Sequence, residues 1–482
     1  MENNKDKLFV GGDLSGIQKF IYNITSYKAA VSLRGRSAWL ADYMNGVCDR
    51  LCKQLPPEPQ TEQVYCSGGK FYLITIDTDG IRQTIDAFYK EIEQELWDKH
   101  KGQLALSICY VSYVSTDNEQ TVSAESALNQ PFTHLFDEVN KLFAECKNRK
   151  FLSVLNNHYD NLFEVQKVGG TPKVCAVTGI EDESCVKFDK EGDRDIYILP
   201  SVKEQIALGD KLRINDGYKG ETFEDYAKGS YLGVLRMDVD GLGQKFCSLK
   251  TKRTYQAFSD KLDAFFGSKK HPDFVLKNLA AGYKGELSII YAGGDDIFVV
   301  GHWNRVIDFA AQVQSKFTKY FDGDGITLSG GVAVVRPKFP ISKAAELAGD
   351  AEDASKHFGY IEKTKQYQKN AFTFLETTVS WNKEFDEVLQ LKNTFRDYCL
   401  YYNMPRSILH RLMILNDLCQ RGEMKYMWNT AYFLKRFSEG KNEEVKKLCN
   451  ELKVRLTSPR QYQLTALAAR WAELELREKY NN

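Results

Sequence analysis

Two short acidic stretches hold the residues best suited to chemistry. The first, Gly293-Gly294-Asp295-Asp296, lies between apolar segments 287–292 and 297–301, a pattern that predicts a hairpin with two carboxylates at its tip. Its glycines allow the positive φ of a two-residue turn and leave room for a phosphate to approach the backbone. Adjacent carboxylates repel one another and sit best around a hard divalent cation such as Mg²⁺ or Mn²⁺; an ordinary solvated acidic turn is the competing reading. The second stretch, YLGVLRMDVD at 231–240, is an apolar strand ending in Asp238 and Asp240 and followed by Gly241-Leu242-Gly243. Side by side, strand and hairpin would bring Asp238 to the tip, where two ions can activate a 3′-hydroxyl and hold a triphosphate. Segment 341–357 predicts a helix ending near Lys356, which either neutralises triphosphate charge or faces solvent as surface lysines do.

The elements that must position these groups come in an order that repeats. Segment 8–24, LFVGGDLSGIQKFIYNI, predicts a short strand, a Gly11-Gly12-Asp13 turn and an amphipathic helix opened by Ser15-Gly16-Ile17-Gln18. Ser15 or Asp13 caps that helix, or its free N–H groups receive a phosphate. The next helix, 32–55, begins with Arg34 and Arg36, which face solvent or an anion. A strand, Gly68-Gly69 turn and strand follow over 64–76, with Lys70 and Phe71 in place of the acidic pair. A helix over 81–100 and a strand over 104–112 complete the set. The second half repeats it: strand at 231, helix over 253–266, Gly-Gly hairpin at 293, helix over 304–320, strand at 326. Two β-α-ββ-α-β units of ferredoxin-like type are therefore expected, one with carboxylates and one without.

Length and composition bound the rest. The 482 residues suggest about three or four domains, and 65 basic against 65 acidic residues leave no net charge from which nucleic-acid binding can be inferred. No apolar run reaches the roughly 18 residues of a membrane span, and the polar start MENNKDK is unlike a signal peptide, so a cytoplasmic protein without membrane contact is expected. Eleven cysteines, mostly single and in apolar segments, suit reduced core thiols. In the mainly helical stretch 119–228, Cys175, Thr178 and Cys185 form half of a zinc knuckle with Thr178 where a second thiolate would stand; no zinc is expected. From Trp381 onward the pattern is helical, with breaks at Pro405-Arg406 and 458–460. Arg411, Arg421, Lys425, Lys435 and Arg436 alternate with Tyr and Trp there, as ordinary snorkelling side chains or as a surface for RNA or a protein subunit.

Six blocks in order, GGDLSGIQKFIYNI, SLRGRSAWLADY, CSGGKFYLI, VLRMDVDGLGQKF, AGGDDIFVV and LSGGVAVVRPKFPISKAAELA, resemble the large subunit of type III CRISPR-Cas effector complexes, closest to the Csm (III-A) type. The resemblance implies an α+β fold: a first palm over 1–118, an interpalm domain over 119–228, a catalytic palm over 229–376 and a C-terminal helical domain over 377–482. It further implies a target-RNA-activated nucleotidyltransferase that makes cyclic oligoadenylate from ATP. Asp238, Asp295 and Asp296 would be catalytic and, with Asp240, metal-binding; Ser15, Gly16, Gln18, Gly68, Gly69, Gly293, Gly294 and Lys356 would hold nucleotide. Two Mg²⁺ or Mn²⁺ ions, the other Csm-type subunits, guide RNA and target RNA are the implied cofactors and partners. None of the seven histidines is followed by Asp, so the HD nuclease of many members, and its DNase activity, is not expected. Adenylation of another small molecule such as S-adenosylmethionine, a stand-alone cyclase using GTP, and a non-catalytic scaffold are the alternatives.

Overall fold

In the computed structural model the residues described are 6–25, 27–115, 121–123, 129–130, 132, 134–162, 173–215, 222–249, 251–267, 271, 273–361 and 366–481. The chain enters on β1 (Asp6–Ser15), turns through α1 (Ile17–Tyr22) and α2 (Ala29–Gln54), and forms the hairpin of β2 (Glu62–Ser67) and β3 (Lys70–Ile76). It returns along α3 (Asp79–His100) to β4 (Ala105–Ser115), with β5 (Thr121–Ser123) and β6 (Asn129–Gln130) at the edge. The sheet order β2-β3-β1-β4-β5-β6 is ferredoxin-like with an added edge.

After α4 (His134–Lys147), α5 (Leu152–Leu162), the hairpin of β7 (Val186–Glu191) and β8 (Arg194–Ile198), α6 (Pro200–Asn215) and α7 (Phe223–Ala227), the plan repeats. It runs through β9 (Leu232–Asp240), α8 (Leu242–Ser248), α9 (Lys252–Phe266), α10 (Val275–Ala280), β10 (Leu287–Gly293), β11 (Asp296–His302), α11 (Trp303–Tyr320), β12 (Thr327–Val335) and α12 (Ile341–Lys356). The small pair β13 (Tyr360–Ile361) and β14 (Gln366–Tyr367) leads into β15 (Ala371–Phe374) and β16 (Thr377–Ser380), and the order β10-β11-β9-β12-β15-β16 matches the first sheet. The repeat holds at single residues. Asp13 of β1 lies opposite Lys70 and Ser107, as Asp238 of β9 lies opposite Asp296 and Ser329.

The structure departs from the sequence reading in three places. β1 does not stop at Gly11 but pairs with β4 as far as Ser15; Gly16, at φ 92°, begins α1, and no side chain caps it. Asp13 instead forms an ion pair with Lys147 of α4 at 2.6 Å, and α4 covers the sheet where Gly11 has no Cβ to push against Val139 and Phe143. The first sheet therefore runs past 118, just as β16 carries the second past 376. Third, Arg34 and Arg36 do not face solvent. Both are buried, Arg34 donating to Ser288 Oγ at 2.9 Å and Arg36 to the Phe20 and Asn23 carbonyls and to Gln205 Oε1.

The tail is helical, as the pattern predicts: α13 (Glu384–Tyr401), α14 (Ser407–Gln420), α15 (Lys425–Ser438), α16 (Glu443–Arg455) and α17 (Pro459–Asn481). Its core is continuous with that of the second palm, joining Trp471 and Phe385 to Phe374 and Trp303. Fully buried Trp303 donates its indole N–H to Glu478 of α17, and Trp471 donates to Asn304 at 2.7 Å. No helix among the described residues is long and apolar enough to cross a membrane.

A candidate active site between two hairpins

Each palm aims its Gly-Gly hairpin at the other. Gly68 and Gly69 both have positive φ, 58° and 80°, the requirement of a tight two-residue turn; in β10–β11, Gly294 at φ 65° and Asp295 make the loop closed by the Gly293–Asp296 pair. The tips meet main chain to main chain: a Cβ on Gly68 would stand 3.2 Å from the Gly294 Cα. Further contacts fix the approach, with Tyr22 of α1 against Phe298 of β11 (ring centroids 4.6 Å apart) and Arg34 of α2 on Ser288 of β10.

Three carboxylates converge at this junction. Asp238 lies opposite Asp296 in the β9–β11 register, and oxygens of Asp238, Asp295 and Asp296 all fall within 4.8 Å of one another. Lys356, from the last turn of α12, reaches Asp238 at 2.8 Å and Glu352 at 2.6 Å, and Arg236 pairs with Glu352 at 3.1 Å. Four carboxylates therefore face two cations. Burial, then the Asp238 charge, pushes the Asp295 carboxyl up to about 6; burial, then Asp295 and Asp238, pushes Asp296 up to about 8. Burial lowers Lys356, but Asp238 and Glu352 more than reverse that, holding it above the ordinary lysine value. A cluster so short of positive charge, made of hard oxygen donors, fits a divalent cation.

Two cavities flank the junction. One, of about 490 Å³, is lined by Gly16, Gln18, Tyr22, Gly68, Arg236, Tyr291 and both hairpin aspartates. The other, of about 390 Å³, is lined by Lys70, Asp137, Phe246, Tyr255, Gly294 and Asp295. Gly68 and Asp295 belong to both.

Of the residues singled out from sequence, Asp238, Asp295, Asp296, Gly16, Gln18, Gly68, Gly294 and Lys356 come together here. The others take different places. Asp240 is buried away from the cluster, its Oδ2 accepting from Thr327, Ser329 and the Asn370 N–H. Ser15 is paired along β4 with its Oγ buried, Gly69 packs on Ile17, and Gly293 closes the turn as a strand residue whose carbonyl accepts from Tyr291. Cys175 and Cys185 are buried, and Thr178 Oγ1 accepts from the Ile180 N–H. The sequence reading missed Arg236, Glu352 and Tyr291. Arg236 is legible in retrospect, two residues before Asp238 on one strand face, and Glu352 one helical turn before Lys356.

Comparison with known proteins gives matches to both halves of the chain. Residues 231–372 match the model of the Cas10/Cmr2 second palm domain, and residues 7–167 that of the Csm1 subunit domain B. Proteins described as CRISPR system single-strand-specific deoxyribonuclease Cas10/Csm1 (subtype III-A) align along most of its length: that of Mycobacterium tuberculosis is 26% identical over 90% of the chain, and that of Enterococcus italicus 28% over 72%. The chain belongs to the Cas10/Csm1 family. It spans 62% and 52% of the lengths of those two Cas10/Csm1 relatives. Solved Csm1–Csm4 cassettes share the fold. One in complex with cA4 superposes with a TM-score of 0.67 at 18% identity, covering 98% of this chain and 70% of its own; one in complex with AMPPNP gives 0.66 at the same identity, covering 99% and 70%.

Proposed function

We propose that this Cas10/Csm1 chain is a nucleotidyltransferase of a type III-A effector complex, joining ATP molecules into cyclic oligoadenylate when the complex binds target RNA. The observation that carries the reading is the meeting of two hairpin tips over an acidic triad, with a nucleotide-sized cavity on each side. Solved Csm1–Csm4 relatives with AMPPNP, pppApA and cA4 bound support it.

Asp238, Asp295 and Asp296 would hold two Mg²⁺ or Mn²⁺ ions, which supply charge neutralisation at the phosphates and acidify a 3′-hydroxyl. The chain's own part is placement. Gly68 and Gly294, lacking side chains, let phosphates lie against the backbone at the junction. Lys356 fixes the position of the Asp238 carboxylate through their 2.8 Å ion pair. Half-buried Phe246, backed by Tyr255, and Lys70 border one cavity, while Gln18 and the start of α1 border the opposite one. One nucleotide's 3′-oxygen then attacks the α-phosphorus of the other, forming a phosphodiester and expelling pyrophosphate; repetition and ring closure give the product. The neighbouring Csm-type subunits, guide RNA and target RNA are partners in this reading.

The test is to assemble the complex with guide RNA, add matching target RNA, ATP and Mg²⁺ or Mn²⁺, and identify products by mass spectrometry beside an Asp295→Ala/Asp296→Ala control. Cyclic adenylates absent from the control are expected. No product from ATP, with product on adding S-adenosylmethionine, would move the acceptor to that molecule; no product in either case would leave a scaffold.

A further inference from the structure

A third cavity, of about 190 Å³, lies apart from the palm junction. It is enclosed by α1, α2, the end of α3, the 178–184 segment and the start of α6. Three features of its wall bear on a ligand. Arg36 is 1% exposed, yet its charge meets no carboxylate: Nε and Nη1 donate to Gln205 and to two carbonyls, and Nη2 finds no acceptor among the described residues. A buried guanidinium without a counter-ion is costly, and burial pulls this one down to about 10.

His100 is 5% exposed, and its Nε2 is buried with no hydrogen-bond partner. The ring packs edge-on against Phe20 and Trp39. Finally, α6 is 16 residues long and starts at this wall with Pro200-Ser201-Val202. Leu199 before it has no side-chain acceptor, and the Ser201 and Val202 N–H groups have none among the described residues. Open N–H groups at a helix start attract anions. Lys101 and Lys99 also line the cavity, Lys99 pairing with Glu95 at 3.1 Å. The two carboxylates at the wall are exposed Asp98, bonded to Gln94, and half-buried Asp182, whose Oδ1 accepts the Ser184 N–H.

We infer that this cavity is a binding site for a phosphate group, held by the Arg36 guanidinium, the His100 ring and the N–H groups that open α6. Its size suits inorganic phosphate or the phosphate end of a nucleoside monophosphate. A bound phosphate would join α1 and α2 of the first palm to the segment that leads into the second.

Isothermal titration of the whole chain, in EDTA so that the acidic triad cannot recruit phosphate through metal, is the test. Inorganic phosphate, AMP and chloride at matched ionic strength are titrated into the native protein and into His100→Phe, Lys101→Glu and Arg36→Met. Saturable phosphate binding is expected, weakened about tenfold or more in His100→Phe, with chloride inert. AMP binding as tightly as phosphate marks a monophosphate site, and AMP excluded while phosphate binds marks the free anion. His100→Phe and Lys101→Glu retain the Arg36 hydrogen bonds, so they serve if Arg36→Met does not fold. No heat with phosphate or AMP, or equal affinity in the folded variants, overturns the inference.

Discussion

Asp13 and Asp238 stand at the same register position of two sheets and have different surroundings. Asp13 is neutralised by Lys147, whereas Asp238 shares one lysine with Glu352 beside two further carboxylates. Removing charge from the second group should therefore help the fold and harm the chemistry. Asp296→Asn is expected to stabilise the divalent-free protein by about 1 to 2 kcal/mol in urea unfolding while abolishing adenylate synthesis. Lys147→Met should do the reverse, costing stability by stranding buried Asp13. His100 gives a pH signature. Burial, then Arg36 and Lys99, lowers it from 6.5 to about 4, so between those values the unfolded chain binds more protons. Stability is complete above 6.5 and falls as pH drops toward 4, by about 3 kcal/mol. In phosphate-free buffer, denaturation midpoints measured across that window should fall less steeply in His100→Phe, whose ring suits the Phe20 and Trp39 edges.

At the scale of elements, the two hairpins act as a pair. Gly68→Ala places a methyl group 3.2 Å from the Gly294 Cα at a positive φ, so it is strained and also pushes the tips apart. About 1 to 2 kcal/mol of lost stability is expected, with a larger loss in product formation because both cavities share this tip. α2 and α6 also meet through glycine: a Cβ on Gly35 would lie 1.8 Å from the Gln205 carbonyl oxygen. The hairpins are legible in sequence because Gly-Gly between apolar strands has few other meanings, and Asp238 because an apolar strand ending in carboxylates must pair with something. Where β1 ends is not legible. Gly11, Gly12 and Asp13 have turn chemistry, yet they remain in a strand because β3 and β4 satisfy their backbone and α4 and Phe71 fill the space their side chains leave. The burial of Arg36 is hidden for a related reason: its acceptors are main-chain oxygens in and just after α1 and a glutamine 169 residues away, and no local pattern announces them.

At the scale of the molecule, the tail and the second palm form one folding unit. Lys392 of α13 is buried against Glu475 at 2.8 Å, and Glu478 holds Trp303 at the start of α11. Deleting α17 is therefore expected to expose the Phe374 and Phe385 faces and leave the second palm insoluble or molten by near-ultraviolet circular dichroism, while the first palm keeps its sheet. The outer face of α15 is different. Trp428 is 80% exposed and Tyr432 63%, beside Lys425 and Arg436, so Trp428→Ser should leave unfolding within about 0.5 kcal/mol of native, and any loss it causes should appear in complex assembly.

Since the two tips meet main chain to main chain, with Tyr22 on Phe298 and Arg34 on Ser288 holding the approach, no side chain comes between the tips that separate the flanking cavities. Substitution around either one can alter which base it favours or how tightly it grips. The separation itself behaves as a fixed ruler, written in main chain, against which every bond-forming event would be measured to the same length.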